Sequence, residues 1–202
     1  MKNGSLLRRS LSLAALVLPL AGCAASPPVR FYTLAPIGYP EGATPAPVAA
    51  NPVTVGIAPV EIPDYLDRPQ IVTREGRNEL KLAEFDRWAG SLSDNISAVL
   101  ADNVATLLGS DRVAVSPAMG GGKTDVTVAL RILRWDCVPG QRVLLKAQWT
   151  ILAGKERKEV AARTASFTKS LGDQRYETMV AAFDHILDQV SREIAREITA
   201  RK

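Results

Sequence analysis

The sequence contains a single histidine, His185, and two cysteines, Cys23 and Cys137. One histidine with no serine or cysteine at a telling spacing gives no support to a Ser-His-Asp site. One imidazole and at most two thiols also fall short of a zinc ligand set. No metal and no cofactor are expected. The chain is poor in basic surplus as well. Its 202 residues carry 25 Lys and Arg against 21 Asp and Glu, but Lys2, Arg8 and Arg9 lie within a leader. Without residues 1–22, 180 residues remain, with 22 basic against 21 acidic. A nucleic-acid binder keeps a basic excess, so nucleic acid is not an expected partner. Long apolar runs are missing too. Leu11 to Leu20 is too short to cross a bilayer comfortably.

What that short run does fit is a leader. A basic start (Lys2, Arg8, Arg9), an apolar middle and the ending Leu20-Ala21-Gly22-Cys23 have the layout of a secretory signal peptide over 1–22. Leu-Ala-Gly-Cys resembles the bacterial lipobox, in which the cysteine is acylated and becomes the first mature residue. Cys23 is then the lipidation site. Each buried CH₂ of an acyl chain contributes about 0.8 kcal/mol, and stable anchoring takes more than one chain. In lipoproteins of two-membrane bacteria an Asp after the cysteine usually means retention at the inner membrane. Ala24 instead resembles export to the inner face of the outer membrane. Cys137 is left without a disulfide partner. Its setting, Trp135-Asp136-Cys137-Val138 at the end of a strand-like run, reads as a half-buried structural thiol.

From Cys23 to Pro52 the chain holds seven of its 13 prolines and reads as a tether, broken by a short aromatic strand at 30–34 that is expected to add an edge strand to the domain. Residues 53–202 read as one domain. Val53–Val60 alternates as a strand that Pro59 ends or places at an edge. Gln70–Arg74 and Glu79–Ala83 read as a hairpin around Glu75-Gly76-Arg77-Asn78, with loops at 63–69 and 84–89. Gly90–Leu108 is apolar at helical spacing, with Ser91 or Ser93 to cap it and Gly109 to end it. Arg112–Ser116 is a short strand. Three alternating runs follow, separated by Pro139-Gly140 and Ala153-Gly154, and predict an antiparallel meander. A last amphipathic helix runs from about Asp173 to Ala200, its stripe formed by Met179, Phe183, Ile186, Leu187, Val190, Ile194 and Ile198. The fold class is α/β, a three-layer α/β/α-like sandwich with a mixed sheet and two main amphipathic helices.

Gly120-Gly121-Gly122-Lys123-Thr124 mimics a phosphate loop. Pro117 stands where that motif needs glycine, and a strand follows where it needs a helix, so a loop is expected. Asp64, Asp67, Glu84 and Asp86 offer carboxylates for acid/base chemistry. Arg68 and Arg87 lie beside them in sequence, and loop-ordering ion pairs account for them. No catalytic residue is assigned.

The stretch Ile62-Pro63-Asp64-Tyr65-Leu66-Asp67-Arg68-Pro69-Gln70-Ile71-Val72-Thr73-Arg74, then Leu82-Ala83-Glu84-Phe85-Asp86-Arg87-Trp88-Ala89, resembles the ABC-type transport auxiliary lipoprotein family, with its PqiC/YmbA-like branch. Phe31-Tyr32-Thr33-Leu34, the lipobox and the final helix agree, and the resemblance covers residues 30–199. It implies a non-enzymatic accessory of an intermembrane lipid transport system that supports membrane integrity. The implied partner is an MCE-domain transporter subunit (PqiB-like), met from the outer membrane through acylated Cys23 and facing the periplasm. A homo-oligomer is compatible with it, although no residue demands one. Tyr65, Arg68, Arg87 and Trp88 are the candidate partner-binding residues, since Tyr, Trp and Arg are the usual interface anchors. Their alternative role is to plug the sheet and tie down loops. Two other functions remain open at this point. One is lipid binding in a groove between helix and sheet; the other is a cell-wall enzyme using Asp64 or Asp86.

Overall fold

The computed structural model describes residues 26–38, 53–115 and 124–200. Cys23, the leader, most of the proline-rich stretch and most of the three-glycine loop lie outside the described residues. Among them are eight strands: β1 (Arg30–Tyr32), β2 (Val55–Ile57), β3 (Gln70–Arg74), β4 (Leu80–Trp88), β5 (Val113–Val115), β6 (Val126–Val138), β7 (Arg142–Ala153) and β8 (Lys158–Ser170). A 3-10 turn covers Asp64–Leu66, and the two α-helices are α1 (Leu92–Leu108) and α2 (Tyr176–Thr199). The α/β sandwich read from the sequence forms, with two sheets. A small one has the order β1-β4-β3 and a large one the order β5-β2-β6-β7-β8.

The long strands form the expected meander, β6 antiparallel to β7 and β7 to β8. Alternation puts Val128, Leu130 and Ile132 of β6, and Val143, Leu145, Ala147, Trp149 and Ile151 of β7, on one buried face. The opposite face carries exposed Arg131, Lys146 and Gln148. On β8, Val160, Ala161, Ala165 and Phe167 are packed against the core. Both helices lie over the buried face, α1 against β2 and β5, α2 against β7 and β8, and each touches the other. Trp135 of β6 and Phe183 of α2 stack at 4.0 Å between ring centroids. This interface is closely filled. Leu130, Leu145, Ile186 and Leu187 are at most 2% exposed. Side chains thus occupy the space that lipid binding between helix and sheet would need.

Helix α1 starts where the Ser91 side chain accepts the Asp94 N–H (3.2 Å). It ends at Gly109, whose φ of 59° lets the Ser110 N–H reach the Ala105 carbonyl at 3.0 Å. Strand β2 is shorter than its sequence pattern. It lies between two parallel neighbours, β5 and β6. Pro59 lacks the N–H that would continue the ladder. The chain still tracks β6 beyond it, through Glu61 N–H to the Leu130 carbonyl at 3.1 Å.

One expectation is corrected. Residues 84–89 do not form a loop: β4 runs on to Trp88 because β1 and β3 supply ladder partners on either side. Its charges looked loop-like because several are ion-paired or at the surface. The aromatic segment read as an edge strand is the edge strand β1 of the small sheet, and residues 30–37 are built into the domain. β1 pairs in parallel with β4, and Leu34 is 3% exposed. The segment after β1 is clamped across both helices by side-chain acceptors. The N–H groups of Leu34, Ala35 and Ile37 donate to Asn95 Oδ1 (2.7 Å), Asp184 Oδ1 (3.0 Å) and Asn103 Oδ1 (2.7 Å). Asn103 Nδ2 in turn donates to Ser191 Oγ (3.2 Å), which ties α1 to α2. An extended segment without a strand neighbour thereby has its donors satisfied.

Candidate functional site

The stretch from Glu61 to Ser91 wraps one end of the large sheet. Tyr65 comes from the 3-10 turn. Its hydroxyl donates to the Trp135 carbonyl (3.3 Å) and accepts the Trp135 N–H (3.2 Å). That is just past the point where the β6–β7 register shifts, between Ile132 and Arg134. Trp135 keeps its place opposite Leu145 in the ladder, and the phenol satisfies both backbone groups that it presents to the 3-10 turn. Tyr65 is half-buried and packed against the core. Trp88 is inside it, 6% exposed. Arg68 is exposed, and Arg87 is half-buried with its Nε out of solvent and unbonded. The four candidate residues therefore divide: the indole and phenol rings face inward, and the surface is left to the guanidinium groups.

The carboxylates divide as well. Asp64, Asp67 and Glu84 are exposed. Asp86 is 6% exposed, and its ion-pair partner is Arg30 rather than Arg87. Its Oδ1 meets Arg30 Nη2 at 2.8 Å and accepts the Tyr32 hydroxyl at 2.8 Å. Glu177, at the start of α2, takes Arg30 Nη1 (3.1 Å) and shares the Tyr32 hydroxyl (3.2 Å). Burial and the bond to Asp86 hold the Tyr32 phenol above its ordinary pKa. This cluster fastens β1 to β4 and α2. A second one fastens the β3–β4 hairpin to β6. Asp136, 5% exposed, receives Arg74 Nε at 2.9 Å and also pairs with Arg134. Next to it, Cys137 is 1% exposed. Burial, aided by the neighbouring Asp136 charge, pushes its thiol up to about 12. A thiol that stays protonated is not a nucleophile, as expected of a structural cysteine. His185 is exposed on α2. Among the described residues no group of three metal-binding side chains converges, and no helix is long and apolar enough to cross a membrane.

Sequence reasoning missed Arg30, Glu177 and the clamp formed by Asn95, Asn103 and Asp184. It also missed Phe31, which is 65% exposed. A signal for Phe31 was present. Adjacent aromatics on a strand point to opposite faces, so Phe31 and Tyr32 cannot both pack inward. Phe31 pairs in register with Arg87, and Arg87 with Gln70, so the three form one row across the small sheet. A shallow cavity of about 290 Å³ lies behind it, lined by Tyr32, Trp88, Ser91 and Asn95.

Asp184 has a pH consequence. Burial raises its carboxyl to about 6, against the opposing pull of the Ala35 N–H. The folded state then holds a proton that the unfolded chain has lost between about pH 4 and pH 6. The stabilisation from this proton is complete below that window and lost as pH rises through 6. Urea titrations at pH 4.5 and 7.5 should show Asp184→Asn gaining midpoint relative to the natural protein at the higher pH. A difference that does not change with pH contradicts this.

The model of the family described as ABC-type transport auxiliary lipoprotein component matches residues 32–195. The chain belongs to this family. It is an auxiliary lipoprotein component of the kind that serves ABC-type transport. No curated protein matches the sequence. Among solved structures, one of an uncharacterized protein superposes with a TM-score of 0.70 at 19% identity, covering 85% of this chain and 99% of its own. Protein XCC0632 from Xanthomonas campestris gives 0.62 at 20% identity, covering 82% of this chain and 92% of its own. At these identities the likeness is one of fold. The match begins at Tyr32, within β1.

Proposed function

We propose that this lipoprotein is a non-enzymatic accessory subunit anchored in the outer membrane through acylated Cys23. It faces the periplasm and docks an MCE-domain subunit of an intermembrane lipid transporter. The family match over 32–195 carries the reading, because it spans nearly the whole folded domain. The use of the acidic groups supports it. Asp86 and Asp136, the two buried acids of this end of the fold, are each bound by arginine. Acids engaged in this way serve as fasteners between strands.

Docking falls to the surface loop that Tyr65 and Leu66 pin to the domain. Asp64, Asp67 and Arg68 are exposed on it. The Tyr65 contact with Trp135 sets the loop's position, so Arg68 is offered from a fixed base. Pre-ordering of this kind lowers the entropy lost on binding. The anchored protein is to be tested with a photo-crosslinking residue at position 68 and, separately, at position 156. Crosslinks to an MCE-domain protein from 68 and not from 156 are expected. Capture from 156 alone would move the docking surface elsewhere, and capture from neither would remove the proposal.

A further inference from the structure

The reading of Cys23 as a lipid anchor places a bound on how the domain can sit. β1 is the first element of the fold, and Val29 is six residues after Cys23. An extended chain spans at most about 3.4 Å per residue, so Val29 is held within roughly 20 Å of the anchoring cysteine. A compact domain of some 150 residues has a radius of gyration of about 15 Å and is nearly 40 Å across. The proline-rich residues 39–52 follow β1 and the clamp at 34–37, and so add nothing to this reach. The domain is thus free to move its far end away from the bilayer, but not the end that carries β1.

That end presents an apolar face. Phe31 is 65% and Val29 40% exposed. Two residues apart on an extended segment, they project to the same side. The parallel register sets Phe31 beside Arg87. Phe85, half-buried, lies two residues before Arg87 on β4. The other face of β1 is fully engaged, with Tyr32 and Arg30 bound to Asp86 and Glu177. Exposed aromatic and aliphatic side chains beside an arginine suit the boundary between headgroups and acyl chains. There the rings enter the apolar side and the guanidinium meets phosphate.

We infer that the outward face of the small sheet, Val29, Phe31 and Phe85 with Arg87, rests on the phospholipid surface in which Cys23 is anchored. The protein lies low on the membrane, with the β7–β8 turn at Gly154–Arg157 as its distal end. The inference depends on the lipidation of Cys23, and the test separates the two. Acylated full-length protein carrying Phe31→Trp or, as a distal control, Glu156→Trp is reconstituted into vesicles of phosphatidylethanolamine and phosphatidylglycerol with brominated acyl chains. Both sites are exposed, so both variants fold. The fluorescence lost on bromination should be several-fold greater for Phe31→Trp than for Glu156→Trp. Equal losses in protein that floats with the vesicles overturn the inference and leave the anchor intact. Protein that does not float overturns both. If the indole introduced by Phe31→Trp is shielded from acrylamide in water yet not quenched by the bromolipid, protein covers this face, for instance a second copy, and the lipid surface is excluded.

Discussion

Phe183→Ala is expected to destabilise the domain by about 4 kcal/mol, the middle of the range for emptying a well-packed aromatic site. For a chain of this size that corresponds to a fall in Tm of roughly 10 °C. The reason lies in what the ring holds together. Phe183 is 2% exposed, and it stacks on Trp135, which is itself 3% exposed. The backbone of Trp135 is in turn held by the Tyr65 hydroxyl. Loss of the ring leaves a void on the indole face and frees the point at which α2, β6 and the Asp64–Leu66 turn meet. The bulge in β6 cannot close the gap without breaking the Tyr65 bonds. Thermal unfolding monitored by near-UV circular dichroism checks this, since the tryptophan signal reports the stack directly. A loss below about 1 kcal/mol, the scale of a minor core truncation, would mean that the core collapses around the site and that Tyr65 is not fixed by it.

Cys23→Ser is expected to have the largest effect on behaviour: loss of acylation and of lipid-borne membrane attachment. A single myristoyl chain gives membrane binding of only about 10⁴ M⁻¹, and stability comes from a second and third chain. Removal of the acceptor thiol removes all of them together. No helix among the described residues is able to span a bilayer in their place. The readout is the mass of the N-terminal peptide after processing, with Cys23 as its first residue and acyl groups attached. Mature protein with an unmodified Cys23, or a Cys23→Ser variant that is fully processed and still membrane-bound, would contradict the anchor.

Much of the fold was legible because its period was regular. The alternation in β6 and β7 and the stripe from Met179 to Ile198 each follow from one face meeting one core. The placement of α1 came from Ser91 and Gly109, which act locally. What escaped was non-local. β4 reads as a loop past Ala83 because Asp86 is buried against Arg30, a partner far away in sequence. The clamp on residues 34–37 depends on Asn95, Asn103 and Asp184, each ordinary on a helix until an extended segment crosses it. Tyr65 and Trp88 stand out in the sequence as candidates, but their orientation does not: both rings turn inward. Which side a ring takes, however, is set by the β6 bulge and by β1, and neither is written into the local pattern. Phe31 shows the converse: the segment reads as an edge strand, but which of its aromatics stays exposed does not follow until the strand is paired.

The central claim is that this anchored domain serves a lipid transporter by docking to its MCE-domain subunit. Its most direct test is co-isolation of the acylated, full-length protein from envelopes solubilised in mild detergent, with bound proteins identified by mass spectrometry. The account predicts an MCE-domain protein in the natural sample and its depletion when Arg68 is replaced by glutamate in protein that is still folded and acylated. Recovery of the folded, acylated lipoprotein without any MCE-domain protein, under conditions that preserve such assemblies, would contradict it.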